Sequence, residues 1–298
     1  MSAPGTAAAP AAPEGAPVPA APDDVPGWFF RADQEVFAHL LDRQSEAGTT
    51  GDLLEMGAYL GRSAILLGYH LRAGETFTVC DLFDLEAPDD QNSAEMDMSY
   101  RDTLTRRAFE ANYLAFHPEL PTIVQAPTSV LADGRIPAGS CRFVHIDASH
   151  LYEHVAGDIL VAREALAKDG VVALDDYRAP HTPGVAAAVW EAVFTLGLRP
   201  VLLTPEKFYG TWGDPEAVRA DLLDRDWRGE GFRLDEEHLA GQRCHRLAWD
   251  EPPAPEPAPA PAPARPRRSL PRRIALDVLP PIATRSVRRA LRATRRTA

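Results

Sequence analysis

Residues 143–153 read FVHIDASHLYE. The apolar run at their start flows directly into Asp147 and His150, the pattern of a buried strand that ends on polar residues. A second apolar run, residues 171–174, ends on Asp175 and Asp176. In an open α/β sheet the carboxyl ends of the strands form the edge where ligands bind. Three carboxylates and an imidazole at that edge predict a cation site with a base beside it. Ionised together, Asp147, Asp175 and Asp176 repel one another, and a hard divalent cation relieves that repulsion. An all-oxygen donor set favours Mg²⁺, with Mn²⁺ or Ca²⁺ as alternatives. His150, whose ordinary pKa lies near neutrality, suits a general base. Plainer roles are open to the same residues. Asp175 and Asp176 can start a turn or cap, His150 can be a helix-start residue bonded to backbone, and His145, inside the strand, reads as structural.

Working outward, residues 52–56, 77–80, 122–125, 142–146 and 171–174 read as strands. Helical spacing appears at 28–44, 58–71, 104–116, 154–167 and 185–196. Residues 200–203 and 208–212 form a late hairpin, and 244–249 is a candidate further strand. Strands alternating with helices imply an α/β fold. It is Rossmann-like and doubly wound, with a mostly parallel seven-stranded sheet, helices on both faces and the antiparallel hairpin at the end. Residues 84–101 are acidic and show no useful period, so they read as a lid over the acceptor or as a solvated loop. Lys207, Phe208, Tyr209 and Trp212 either line the acceptor side or fill the hairpin core.

The first strand runs into LEMGAYLGRS at 54–63. Gly57 permits close approach to a ligand, and the helix N-terminus beyond Gly61 offers free amides to a carboxylate or other anion. Asp81, ending the next strand, can accept both hydroxyls of a ribose. Together these point to a nucleoside-containing ligand. The GxGxxG pyrophosphate fingerprint is missing, because Ala58 to Leu60 is bulky and supplies no second glycine, which disfavours a dinucleotide.

These residues carry a resemblance. LLEMGAYLGRSA (53–64), VCDLFD (79–84), FVHIDASHLYEHV (143–155) and GVVALDDY (170–177), in that order and spacing, resemble the class I S-adenosylmethionine-dependent methyltransferases, in particular the metal-dependent sugar O-methyltransferases of antibiotic pathways. The resemblance implies that Glu55, Gly57, Gly61 and Ser63 serve the methionine part of S-adenosyl-L-methionine and Asp81 its ribose. It places the segment around Thr128 and Ser129 near the adenine. It also implies that Asp147, Asp175 and Asp176 surround Mg²⁺ or another divalent cation, with Asp147 and His150 catalytic. Many relatives read IDGDH where this chain reads IDASH. Ser149 thus excludes an aspartate base at that position and leaves His150 as the candidate.

The ends of the chain differ from its middle. Residues 1–22 are an Ala/Pro-rich leader with no basic n-region and no apolar run of signal-peptide or membrane-span length. Residues 23–250 are expected to form the catalytic domain, and 251–298 a Pro/Ala linker followed by an Arg-rich tail. Residues 265–298 carry eleven arginines against Asp277 alone, a formal charge of +10. With −12 for the whole chain, residues 1–264 carry −22. Such a tail can contact an anionic membrane surface, nucleic acid or the acidic body itself. Cys80, Cys141 and Cys244 are scattered without a CxxC pair, so neither a disulfide framework nor a zinc site is indicated and a cytoplasmic setting fits. The expected partner is a small molecule bearing a hydroxyl, and a homo-oligomer is compatible. Two other classes stay open at this point: a nucleotide-dependent oxidoreductase, and a non-catalytic cofactor-binding module with an anion-binding tail.

Overall fold

The computed structural model describes residues 18–99 and 103–250. The expectations for most of the leader and for all of the linker and tail therefore lie outside the described residues. A helix, α1 (Arg31–Glu46), precedes the sheet. Its buried residues Ala32, Val36, Phe37, Leu40 and Leu41 follow the helical period and make one apolar stripe. The chain then runs through β1 (Asp52–Met56), α2 (Arg62–Tyr69), β2 (Phe77–Asp81), α3 (Asp90–Ser99), α4 (Arg106–Leu114) and β3 (Thr122–Gln125). The second half contains β4 (Cys141–Ile146), α5 (Tyr152–Ala165), β5 (Leu166–Leu174) and α6 (Pro183–Thr195). It closes with β6 (Arg199–Leu203), β7 (Phe208–Thr211), α7 (Pro215–Leu223), β8 (Phe232–Leu239) and β9 (Gln242–Trp249).

All strands join one sheet in the order β3-β2-β1-β4-β5-β7-β6-β9-β8. The first five are parallel, and β7 runs antiparallel between β5 and β6. Alternate residues of the central strands feed opposite faces, as the strand period requires. Leu53, Phe143, Val171 and Ala173 pack with α1, α2, α4 and α7. Leu54, Met56, Val144, Ile146, Val172 and Leu174 pack with α5 and α6. A strand covered on both faces has no polar side to show, hence the continuous apolar runs in the sequence.

The sheet corrects the expected strand count, since it holds nine strands among the described residues rather than seven. Residues 244–249 belong to β9, which runs parallel to β6 and pairs antiparallel with β8, an element the sequence reading did not contain. Strand β5 also begins at Leu166, earlier than expected, and the aperiodic segment 84–101 contains α3. Among the described residues no helix is long and apolar enough to cross a membrane.

Candidate active site at the switch point of the sheet

The chain leaves β1 towards β2 and β3, then returns on the other side to β4, so the topological switch point lies between the carboxyl ends of β1 and β4. Gly57 sits there with φ +81°. A Cβ at this position would lie 2.0 Å from the carbonyl oxygen of Asp147, so only glycine lets the first loop press against the residue that ends β4.

Asp81 organises that loop. Its Oδ2 accepts hydrogen bonds from the backbone N–H groups of Ala58 (2.7 Å) and Tyr59 (3.1 Å), and its Oδ1 accepts from Phe83 (2.6 Å). Tyr59 and Phe83 adopt φ of 48° and 51°, left-handed values that are costly for aromatic residues. One carboxylate thus holds both with charge-assisted bonds. Burial raises the pKa of Asp81, and the three amides oppose that rise.

Beside this loop opens a cavity of about 900 Å³, of the size that small-molecule sites occupy. Gly57, Ser63, Asp81, Thr128 and Ser129 line it from the β1–β3 half of the sheet. Asp147, His150, Asp175 and Asp176 line it from the ends of β4 and β5. Two of the residues expected at the cofactor do not line it. Gly61, at φ +96°, caps α2. Glu55 is wholly buried and shares a 2.8 Å hydrogen bond with Nδ1 of His145. Burial pushes the Glu55 carboxyl up to about 8, against the opposing effects of Ser63 and Lys207. Burial, followed by the charge of Lys207, holds His145 well below the usual histidine range, so its imidazole is neutral.

The acid–base group divides into two pairings. Asp147, Asp175 and His145 each place a donor atom within 4.8 Å of the others. Asp176 stands instead against His150, with Nε2 of the imidazole 3.0 Å from the carboxylate. Burial opposes ionisation of Asp176, but the hydrogen bond and charge of His150 prevail and bring its carboxyl below the usual range. Asp147 is pushed well above that range, first by burial and then by the charge of Asp175. Nε2 of His145 is buried and has no hydrogen-bond partner. Two carboxylates that resist joint ionisation, beside an unsatisfied imidazole nitrogen, fit a divalent cation.

The sequence reading missed two charged residues here, Asp33 and Asp158, and left a third, Lys207, open between the acceptor side and the hairpin core. Lys207, 1% exposed, lies 2.6 Å from Asp175 and 3.9 Å from Asp147. Burial opposes its charge, yet Asp175, Asp147 and Asp33 outweigh burial and raise its pKa. Asp33 lies on the buried stripe of α1, where Oδ1 accepts from Thr204 and Tyr209, each at 2.7 Å. Asp158 lines the cavity from α5. Burial pushes its carboxyl up to about 7 against a hydrogen bond from Thr128. Both aspartates interrupt an apolar helical stripe, and that interruption is the signal that could have found them.

The order β3-β2-β1-β4-β5-β7-β6 with β7 reversed is a Rossmann-like, doubly wound and mostly parallel sheet, extended here by β9 and β8. Residues 54–177 match the family model described as "Methyltransferase domain". No curated protein matches the chain. Among solved structures, the O-methyltransferase NovP is similar at 17% identity and TM-score 0.48, over 61% of this chain and 81% of that one. CalS11, a TDP-rhamnose 3′-O-methyltransferase of calicheamicin biosynthesis, is similar at 19% identity and TM-score 0.42, over 62% and 82%. TomG from Streptomyces achromogenes, an O-methyltransferase involved in tomaymycin synthesis whose structure holds S-adenosylmethionine, is similar at 16% identity and TM-score 0.42, over 64% and 85%.

Proposed function

We propose that this protein is an S-adenosylmethionine-dependent, divalent-metal-assisted O-methyltransferase acting on a hydroxyl of a sugar or other natural-product small molecule. The observation that carries the reading is that one cavity is shared by both groups of residues. It joins a glycine-bearing first loop and a strand-end acid, suited to a methionine and a ribose, to a cluster of carboxylates and an imidazole suited to deprotonating a hydroxyl.

In this reading Gly57, Ser63 and Asp81 bind the methyl donor, with Thr128 and Ser129 beside its adenine. Bound there, the donor supplies an electrophilic sulfonium methyl. Asp147 and Asp175 would hold the cation with Asp176 nearby, and a bound ion would acidify and orient a hydroxyl. His150 takes the hydroxyl proton, and the resulting imidazolium is stabilised by the carboxylate of Asp176 at 3.0 Å. With the donor bound, the acceptor oxygen would gain the methyl group and the electron pair of the broken carbon–sulfur bond would stay on sulfur. Alignment of oxygen, methyl and sulfur supplies much of the acceleration, so the rigidity of the strand ends matters.

Calorimetry with S-adenosylmethionine and with its demethylated product, each with and without Mg²⁺, tests the binding half. Both ligands are expected to bind. Methyl transfer to a panel of sugar and polyol acceptors in excess chelator tests the metal half, with activity expected to fall and to return on adding Mg²⁺. Undiminished transfer in chelator refutes metal assistance, and failure to bind either ligand refutes the methyltransferase reading.

A further inference from the structure

Behind the carboxylate end of the cavity lies a buried cation that the chemistry above does not use. The turn at 204–207 is fixed by Thr204, whose hydroxyl accepts from the N–H of Lys207 at 2.8 Å and donates to Asp33 at 2.7 Å. The N–H of Thr204 in turn donates to the carbonyl of Lys207 at 2.9 Å. With its backbone held on both sides, Lys207 directs its side chain inward. Its Nζ stands 2.6 Å from Asp175, 3.9 Å from Asp147 and 5.7 Å from the centre of the Phe29 ring. Asp147 and Asp175 line the cavity but Lys207 does not, so the ammonium reaches these carboxylates from behind the cavity wall.

A buried ammonium is a costly way to fill space, and an apolar side chain of similar length would pack there at lower cost. Oδ1 of Asp33 accepts two hydroxyl hydrogen bonds, while its buried Oδ2 has no hydrogen-bond partner and the ammonium favours its ionised form. The ammonium's closest carboxylate contacts, however, are with the pair that converge with His145 as cation donors. A positive charge beside two such donors supports their ionised form and opposes the entry of a second cation. We propose that Lys207 is a resident counter-charge that sets the divalent-cation affinity of Asp147 and Asp175, keeping it weak and exchangeable while preserving the carboxylates' positions when no ion is bound. Lys207 is a positioning residue, acting through Asp147 and Asp175. The proposal rests on the reading of those two side chains as cation donors.

The test is a titration of the full-length protein with Mg²⁺ alone, by calorimetry and by the Mg²⁺-dependent shift of Tm. Wild type is compared with Lys207→Met, which removes the charge and keeps an unbranched chain. Lys207→Met is expected to bind Mg²⁺ at least about tenfold more tightly and to show a larger Tm shift, with S-adenosylmethionine affinity within about threefold of wild type. Lys207→Gln, which also removes the charge, should behave alike. If either variant folds only in millimolar Mg²⁺, the ion has replaced the ammonium and the proposal stands. Folded variants whose Mg²⁺ affinity equals or falls below that of wild type overturn it, as do variants that Mg²⁺ cannot restore. If wild type binds S-adenosylmethionine while the variants show no gain in Mg²⁺ affinity, only the role of Lys207 falls; absence of S-adenosylmethionine binding in wild type removes the methyltransferase reading instead.

Discussion

His150 and Asp176 form a pair whose chemistry is set by backbone as well as side chain. Asp176 adopts φ 57°, a left-handed value that aspartate and asparagine tolerate far better than most residues. At 3.0 Å its carboxylate meets the imidazole and supports a positive charge there. Replacing His150 by alanine is expected to lower turnover about 10²-fold or more while leaving calorimetric cofactor affinity nearly intact. Unchanged turnover would remove His150 as the base. Asp176 allows a cleaner dissection. Asp176→Asn keeps a side chain suited to the left-handed backbone and removes only the charge, so kcat should fall about tenfold or more with little change in Tm. Asp176→Ala adds strain of about 1 kcal/mol or more and should lower Tm as well. The acids at the ends of β4 and β5 were legible from sequence because they follow apolar strands directly. The partner of each was not. Pairing His150 with Asp176, or His145 with Glu55, depends on which strands lie side by side, and no local spacing encodes that.

Among the elements, the far end of the sheet shows how β4 is anchored. Arg142, wholly buried, meets Glu75 through two contacts of 3.0 Å and also donates to Gln44 of α1 and to the carbonyl of His70. One arginine therefore ties β4 to α1, to the end of α2 and to the turn before β2. Burial works against the Glu75 carboxylate, but Arg72 and Arg142 overcome it and lower its pKa to about 2. Because the folded value lies below the unfolded value of about 4.3, this group's stabilisation is present above that unfolded value. It is lost as pH falls towards about 2. Glu75→Gln is accordingly expected to cost about 3–5 kcal/mol near neutral pH, since it leaves a buried guanidinium without its counter-charge. The difference from wild type should shrink steadily below about pH 4.3, as read from urea midpoints across pH. A difference that does not vary with pH would mean the pair contributes packing only. The central parallel strands were legible because burial on both faces leaves uninterrupted apolar runs. Helix α3, whose sequence is DQNSAEMDMS, has no apolar stripe to announce it. Strand β8, FRLDEEHL, places arginine and three acids where a strand signal would need apolar alternation.

At the scale of the whole described sheet, β9 and β8 do more than lengthen the fold. Leu247 and Ala248 of β9 line the same cavity as Asp147 and His150. Phe232, at the start of β8, is fully buried and its ring lies 4.6 Å from that of Trp249, with Trp227 at 6.4 Å. Phe232→Ala is expected to destabilise the fold by about 3–5 kcal/mol. By loosening the β8–β9 ribbon it should also raise the acceptor KM more than the cofactor Kd. Equal changes in both constants would place the ribbon's influence on global stability alone. The two outer strands also differ in what they present to other molecules. Strand β3 is only four residues long. Strand β8 spans eight, and its Arg233, Asp235 and Glu237 form ion pairs along the border, Arg233 with Asp235 and Glu237 with Arg246 of β9. A long unpaired border would be a template for strand addition and fibrous association. One border is thus protected by brevity and the other by charge, so the charges that hid β8 in the sequence also guard the enlarged sheet against self-association.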